Sequence, residues 1–288
     1  MCVVAKNVII YIYMTKEHEL KICAKGSRKT GQGFIDEITQ LSQLVNCIEI
    51  DFNYPHDRNF DNELEFLKKL KKEKGLIYTV HAQYFSGSIN DLNDQVREAS
   101  IKEIKNNIDK AEAIGAKIVT IHPALEPYGL KIEKRKKLEI EAYKTIAEYA
   151  GQKNILIGLE NEAQTCFWFP DRACKFDLIK DTVEKVNMPN FLYTLDIGHA
   201  NVSGEDYLSA IRTFGDKIIH IHAHDNFGPA EENLKKSNRP DPHLIPGKGQ
   251  IDWKKVILTL KEINYQGYFE LECEVNDMKE GIEFIIKQ

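Results

Sequence analysis

Eight short apolar runs, each followed by a turn and a stretch of helical spacing, are the feature that most narrows what this chain can fold into. They are Leu20 to Ala24, Asn46 to Phe52, Leu76 to Ala82, Lys117 to Pro123, Asn154 to Glu160, Phe191 to Ile197, Lys217 to His224 and Gly267 to Glu274. Between them, sets such as Ile101, Ile104, Ile108, Ala111 and Leu138, Ala142, Ile146, Tyr149 fall three or four residues apart, which gives a helix one apolar face. Alternating strands and helices imply parallel strands joined by right-handed crossovers. Eight such units are expected to close into a single-domain α/β structure, a (β/α)8 TIM barrel, whose usual length of about 250 residues is close to the 288 found here. A doubly wound open sheet is the alternative, and the missing GxGxxG after the first strand speaks against it. No Pro/Gly/Ser-rich linker divides the chain, so residues 15–288 are read as one barrel domain, with the tail from Asp277 to Gln288 as a closing helix. Residues 1–14 are read as an extra strand or a misassigned start, and carry no assigned function.

Composition excludes other classes. With 42% hydrophobic and 29% charged residues the chain is globular. A net charge of -5 and a pI near 6.0 argue against a broad basic surface for nucleic acid. No run approaches the roughly 18 apolar residues of a membrane span. The apolar stretch near the N-terminus lacks the cleavage site of a secretory signal. The six cysteines show no CxxC spacing, and Cys47 and Cys273 lie in apolar runs, so a reducing cytoplasm is the expected location.

In a barrel of this kind the functional site forms where strands end, and here those ends carry imidazoles and carboxylates. They are His81, His122, Glu160, Asp196 with His199, His222, and Glu272, while the loop after the seventh strand adds Asp241 and His243. In His220-Ile-His222-Ala-His224-Asp225 the three histidines share one strand face, because side chains alternate. Any one of these residues alone reads as solvated or hydrogen-bonded. Gathered at one mouth, they would repel and lose solvation unless a cation joined them. Imidazole and carboxylate without thiolate suit Zn, Mn, Fe or Co, with no choice among them.

The segments "VHAQY", "TIHPA", "LENE", "LDIGH", "HIHAHD", "DPHLIPGKGQIDW" and "GYFELE" resemble, in order and over most of the chain, the xylose isomerase-like TIM barrels. These include sugar isomerases and epimerases and the endonuclease IV type apurinic endonucleases. The resemblance implies Glu160, Asp196, His222 and Glu272 as metal ligands of an epimerase-type site. The three-metal endonuclease pattern would add His81, His122, His199, Asp241 and His243, so one to three cations per chain are implied. His222 is selected because the family histidine stands three residues before the acid, here Asp225; His220 is then one layer deeper and His224 on the rim. Glu270, Glu272 and Glu274 share a face, and the family's spacing after Gly267 selects Glu272.

Two further carboxylates, Glu49 and Asp51, share a face of the second strand and could reach the pocket floor. Arg28 and Lys29 in "GSRKTGQG" could meet a phosphate, although a solvated loop is the plainer reading. By resemblance, Arg239 would hold substrate oxygens. "GKG" at 247–249 lacks the context of a P-loop. The favoured chemistry is isomerisation or epimerisation of a sugar or sugar phosphate through an enediolate, with Glu160 and Glu272 as the acid/base pair. The alternative is hydrolysis at an abasic site, the only reading with a nucleic acid partner. "FSGS" after Tyr84, "LDIGH" without a cysteine, "HAHDNFG" and "NEAQT" after Glu160 all depart from the nuclease pattern. A metal-dependent lyase such as a dehydratase and a non-catalytic binding barrel complete the readings; no membrane partner is expected, and a homo-oligomer is left open.

Overall fold

The β-branched and apolar runs form strands because each residue pair can bury one side chain outward under a helix and point the next into the barrel. The strands are β1 (Lys21–Lys25), β2 (Cys47–Asp51), β3 (Ile77–His81), β4 (Ile118–Ile121), β5 (Leu156–Glu160), β6 (Phe191–Asp196), β7 (Ile218–Ala223) and β8 (Tyr268–Leu271). In the computed structural model, which describes residues 20–52, 60–82, 88–124, 131–165 and 171–288, they close in sequence order into an eight-stranded barrel. Every neighbouring pair is parallel, including β8 with β1. The expected fold is therefore the observed one. The helical patterns are the helices Asp94–Ala113 and Ile132–Gly151, and the tail forms Met278–Ile286. Residues 1–14 lie outside the described residues.

Outward side chains of the strands (Ile48, Ile50, Tyr78, Val80, Val119, Ile121, Ile157, Leu159, Leu195, Ile221, Phe269 and Leu271) join the helices in one apolar core. The inward set is polar, where barrels usually hold branched aliphatics. Thr120 and Thr194 pair across it at 3.0 Å. Gly158 leaves room for them, since a Cβ there would stand 2.1 Å from the Thr194 hydroxyl oxygen.

Glu139 shows how burial outside the mouth makes stability depend on pH. It accepts from the Ala124 amide at 3.3 Å and the Tyr143 hydroxyl at 3.0 Å, and burial pushes its carboxyl up to about 7. The folded state thus keeps a proton that the unfolded chain releases near 4.5, so this contribution to stability is lost as pH rises through that window. Glu139→Gln should gain up to about 3 kcal/mol on the wild type from acid to mildly alkaline pH. Thermal melts of both proteins check this, and parallel melting-temperature profiles would refute it.

Candidate functional site

Period-two alternation stacks the inward side chains in two layers, because each strand contributes one residue to a lower ring and the residue two further on to the mouth. The lower ring includes Glu49, Thr79, Thr120, Thr194, His220 and Glu270; the upper includes Lys25, Asp51, His81, His122, Glu160, Asp196, His222 and Glu272. All fourteen of these side chains except Lys25 and His122 are buried. The strand-end residues read from the sequence are therefore brought to one mouth, from strands far apart in the chain.

Glu160 is the centre of the upper ring. Its Oε1 lies 2.8 Å from His222 Nδ1, and its Oε2 lies 3.3 Å from both His81 Nε2 and His122 Nε2. Those two nitrogens are 2.9 Å apart. A single proton can bridge the pair, whereas two ring nitrogens and a carboxylate oxygen meeting at one point form the donor set of a cation. His122 Nδ1 is held in turn by Glu162. Burial works to raise the Glu160 carboxyl, but the charges of His222 and His122 outweigh it and hold it well below the usual range.

Asp196 caps the helix Ile197–Val202, accepting the His199 amide at 2.7 Å with Oδ1. Its buried Oδ2 makes no hydrogen bond, which is costly unless another group meets it. Asn161 fixes this segment by exchanging two bonds with the Asp196 backbone at 2.8 and 2.9 Å. Across the mouth, Glu272 Oε1 is paired with Lys25 Nζ at 2.5 Å and lies 3.7 Å from His222 Nδ1. Burial raises its carboxyl, and Lys25 followed by His243 reverses the effect and holds it well below the ordinary value. Asp241 and His243 reach the same mouth, each within 3.5 Å of a neighbouring ligand-type atom.

His224 differs from its expected place on the rim: it is fully buried, with Nε2 3.3 Å from Asp196 and Nδ1 3.5 Å from Asp241. The reason is Gly198, whose bare Cα lets the ring pack where a Cβ would stand 2.2 Å away. His220 is one layer down as expected, 2.9 Å from Glu49 and 3.1 Å from Glu270. Glu49 therefore lies beneath His222 rather than open to a ligand, while Glu274 is exposed. Asp51 is buried near Arg28, and Lys29 pairs with Glu37 at 2.6 Å, so both cations of that loop have carboxylate neighbours. Arg239 is exposed. Lys248 of "GKG" pairs with Glu280 at 2.6 Å. Tyr84 and most of "FSGS" lie outside the described residues.

Asp225 marks the family histidine in the sequence, but its side chain is a clamp. It accepts from the Asn226, Gly247 and Ile251 amides and from the Trp253 indole at 2.8 to 3.2 Å, and its backbone pairs with Leu244. The loop bearing Asp241 and His243 is thus tied to the end of β7. Asp225→Ala should destabilise the protein by about 3–5 kcal/mol, because it leaves several buried donors unpaired. Denaturant unfolding checks this; a loss below about 1 kcal/mol would mean that the loop closes without it.

A family model described as xylose isomerase-like TIM barrel matches residues 40–288. An uncharacterised protein of Methanocaldococcus jannaschii is 27% identical over 213 residues, covering 73% of this chain and 68% of its own. An inosose dehydratase of Clostridium perfringens is 24% identical over 260 residues, covering 83% and 82%. Among solved structures, a D-tagatose 3-epimerase-like protein superposes with a TM-score of 0.78 at 22% identity, over 93% of this chain and 99% of that one.

Proposed function

The chain belongs to the xylose isomerase-like TIM barrel family, and on that premise we propose that it is a divalent-metal-dependent isomerase or epimerase of a sugar or sugar phosphate. The observation that carries this reading is that Glu160 and Glu272, from β5 and β8, approach the same nitrogen, His222 Nδ1, at 2.8 and 3.7 Å. Two carboxylates thereby flank one point of the mouth from different sides.

Glu160, Asp196, His222 and Glu272 would hold a cation facing substrate, His81 and His122 offer a second position with Glu160, and the loop ligands Asp241 and His243 offer a third with His199. Zn, Mn, Fe and Co all suit this donor set. A bound cation supplies polarisation of a carbonyl and its neighbouring hydroxyl, which acidifies the carbon-bound proton between them. Glu160, held ionised by its imidazole neighbours, accepts that proton and leaves an enediolate. Glu272, itself ionised at rest, delivers a proton to the opposite face by taking one from the Lys25 ammonium 2.5 Å away. One turnover leaves a proton on Glu160 and removes one from the Lys25–Glu272 pair, so solvent must take up the first and resupply the second before the next cycle. Arg239, two residues before Asp241 on the exposed side of the loop, is assigned to substrate oxygens.

The inosose dehydratase relative favours one second reading, a lyase. It would share removal of the carbon-bound proton and then expel a neighbouring hydroxyl as water instead of reprotonating the carbon. Cys23, Cys47 and Cys273 are buried free thiols, which supports a reducing cytoplasmic location. The test is metal-loaded protein in deuterium oxide with ketoses, their phosphates and inososes, alongside an abasic oligonucleotide. Deuterium in a recovered sugar epimer supports the proposal, an unsaturated product selects the lyase, and strand cleavage alone selects the nuclease.

A further inference from the structure

We infer that His224 is the fourth ligand of a closed metal site, formed with His199, Asp241 and His243, that fastens the loop after β7 to the barrel rather than meeting substrate. One ligand atom from each of these four side chains lies within 4.8 Å of the others. His199 Nε2 and His243 Nε2 are each 3.5 Å from Asp241 Oδ2, and His224 Nδ1 is 3.5 Å from Asp241 Oδ1. Neither oxygen of Asp241 and neither ring nitrogen of His224 makes a hydrogen bond, although all four atoms are buried. Bonds of about 2.0–2.2 Å from a tetrahedral zinc ion place neighbouring ligand atoms about 3.3 Å apart. The observed spacings are near that edge and long for hydrogen bonds.

The other ring atoms are arranged to aim these nitrogens. His199 Nδ1 lies 2.9 Å from the Asn161 carbonyl, so it carries the proton and donates it, leaving Nε2 as a lone pair toward Asp241. His243 Nδ1 faces Glu272 at 3.1 Å, and His224 Nε2 faces Asp196 at 3.3 Å. Each imidazole thus turns one nitrogen to an oxygen and the other to the shared point, the pattern that orients metal-bound histidines. Gly198 preserves the space of the His224 ring.

Three imidazoles and one carboxylate supply four protein ligands, which defines a closed structural site, whereas a catalytic site keeps a position open. The cation would join the helix after β6, the end of β7 and the loop at 241–243, adding to the ties that Asp225 and the His243–Glu272 pair provide. This goes beyond the isomerase reading, since its test counts metal and needs no substrate.

The experiment uses full-length protein stripped with a chelator and titrated with zinc against a chromophoric competitor, and with cobalt(II) followed by its visible absorption. The wild type is expected to take up one tightly held equivalent with the intense bands of tetrahedral cobalt, beyond any equivalent at the substrate-facing ligands. Glu160→Gln should keep that equivalent. His224→Ala and, at a partly exposed position where folding is less at stake, His243→Gln should each lose it, and proteolysis within 226–250 should accelerate. Unchanged stoichiometry and spectrum in both variants would overturn the proposal, as would a wild type whose every tight equivalent disappears in Glu160→Gln. That last result would still leave the isomerase reading standing.

Discussion

Glu160→Gln should lower turnover by about a thousand-fold or more while the barrel stays folded. Glutamine keeps the volume of the side chain, so the packing around it is preserved. What it loses is the charge that His222, His81 and His122 approach at 2.8, 3.3 and 3.3 Å, together with the lone pair that takes the carbon-bound proton. Loss of a base alone and loss of a bound cation both lower the rate, and metal content of the purified variant separates them. If metal is retained and hydrogen exchange at the substrate carbon still fails, the missing group is the base. If metal is lost, excess cation in the assay should restore part of the exchange. Glu272→Gln is the companion experiment: it should block epimer formation, and exchange from one face should survive because Glu160 still removes its proton. Full activity of Glu160→Gln, with a melting curve like that of the wild type, would take this residue out of the mechanism and the proposed chemistry with it.

The rings of the barrel explain which of these residues could be read beforehand. Once the strands are drawn, alternation dictates that a residue two positions before a mouth ligand also points inward, which is how His220 falls beneath His222. Applied to β8 and β2, the same rule puts Glu270 beneath Glu272 and Glu49 beneath Asp51. What one-dimensional spacing lacks is the stagger of the closed barrel, which brings Glu49 to His220 across 171 residues at 2.9 Å. His224 departs from its expected place on the rim for a related reason. An imidazole just past a strand end looks exposed until the helix after β6 is known to pack over it through Gly198. Asp225 stands out in the sequence as a family marker, yet its donors Gly247, Ile251 and Trp253 lie more than 20 residues on, across a loop whose return path carries no periodic signal.

Glu270→Gln should weaken binding of a divalent cation at the mouth by about 10–100-fold, although Glu270 is in the lower ring. The effect is transmitted through His222. Its Nδ1 faces Glu160, while its Nε2 lies 3.1 Å from Glu270 Oε2 and 3.4 Å from Glu49 Oε1. Nε2 makes no aligned hydrogen bond, but the negative charge of a carboxylate 3.1 Å away favours the ring proton on that side, which leaves Nδ1 as the lone pair directed to the mouth and makes it a stronger donor. His220, between the same two acids, fills the space below and shares their charge. Glutamine at 270 can present either an oxygen or an amide to Nε2, so both the charge and the fixed tautomer are weakened. A purely structural layer would respond differently: the melting temperature would fall while the affinity and the cobalt absorption of the mouth stayed as in the wild type. The expected result is the reverse balance, with a measurable loss of affinity, a shifted spectrum and a modest change in stability. Glu49→Gln should act in the same direction but less strongly, because its oxygen is farther from His222 Nε2. An unaltered affinity in both variants would show that His222 is oriented by its packing alone.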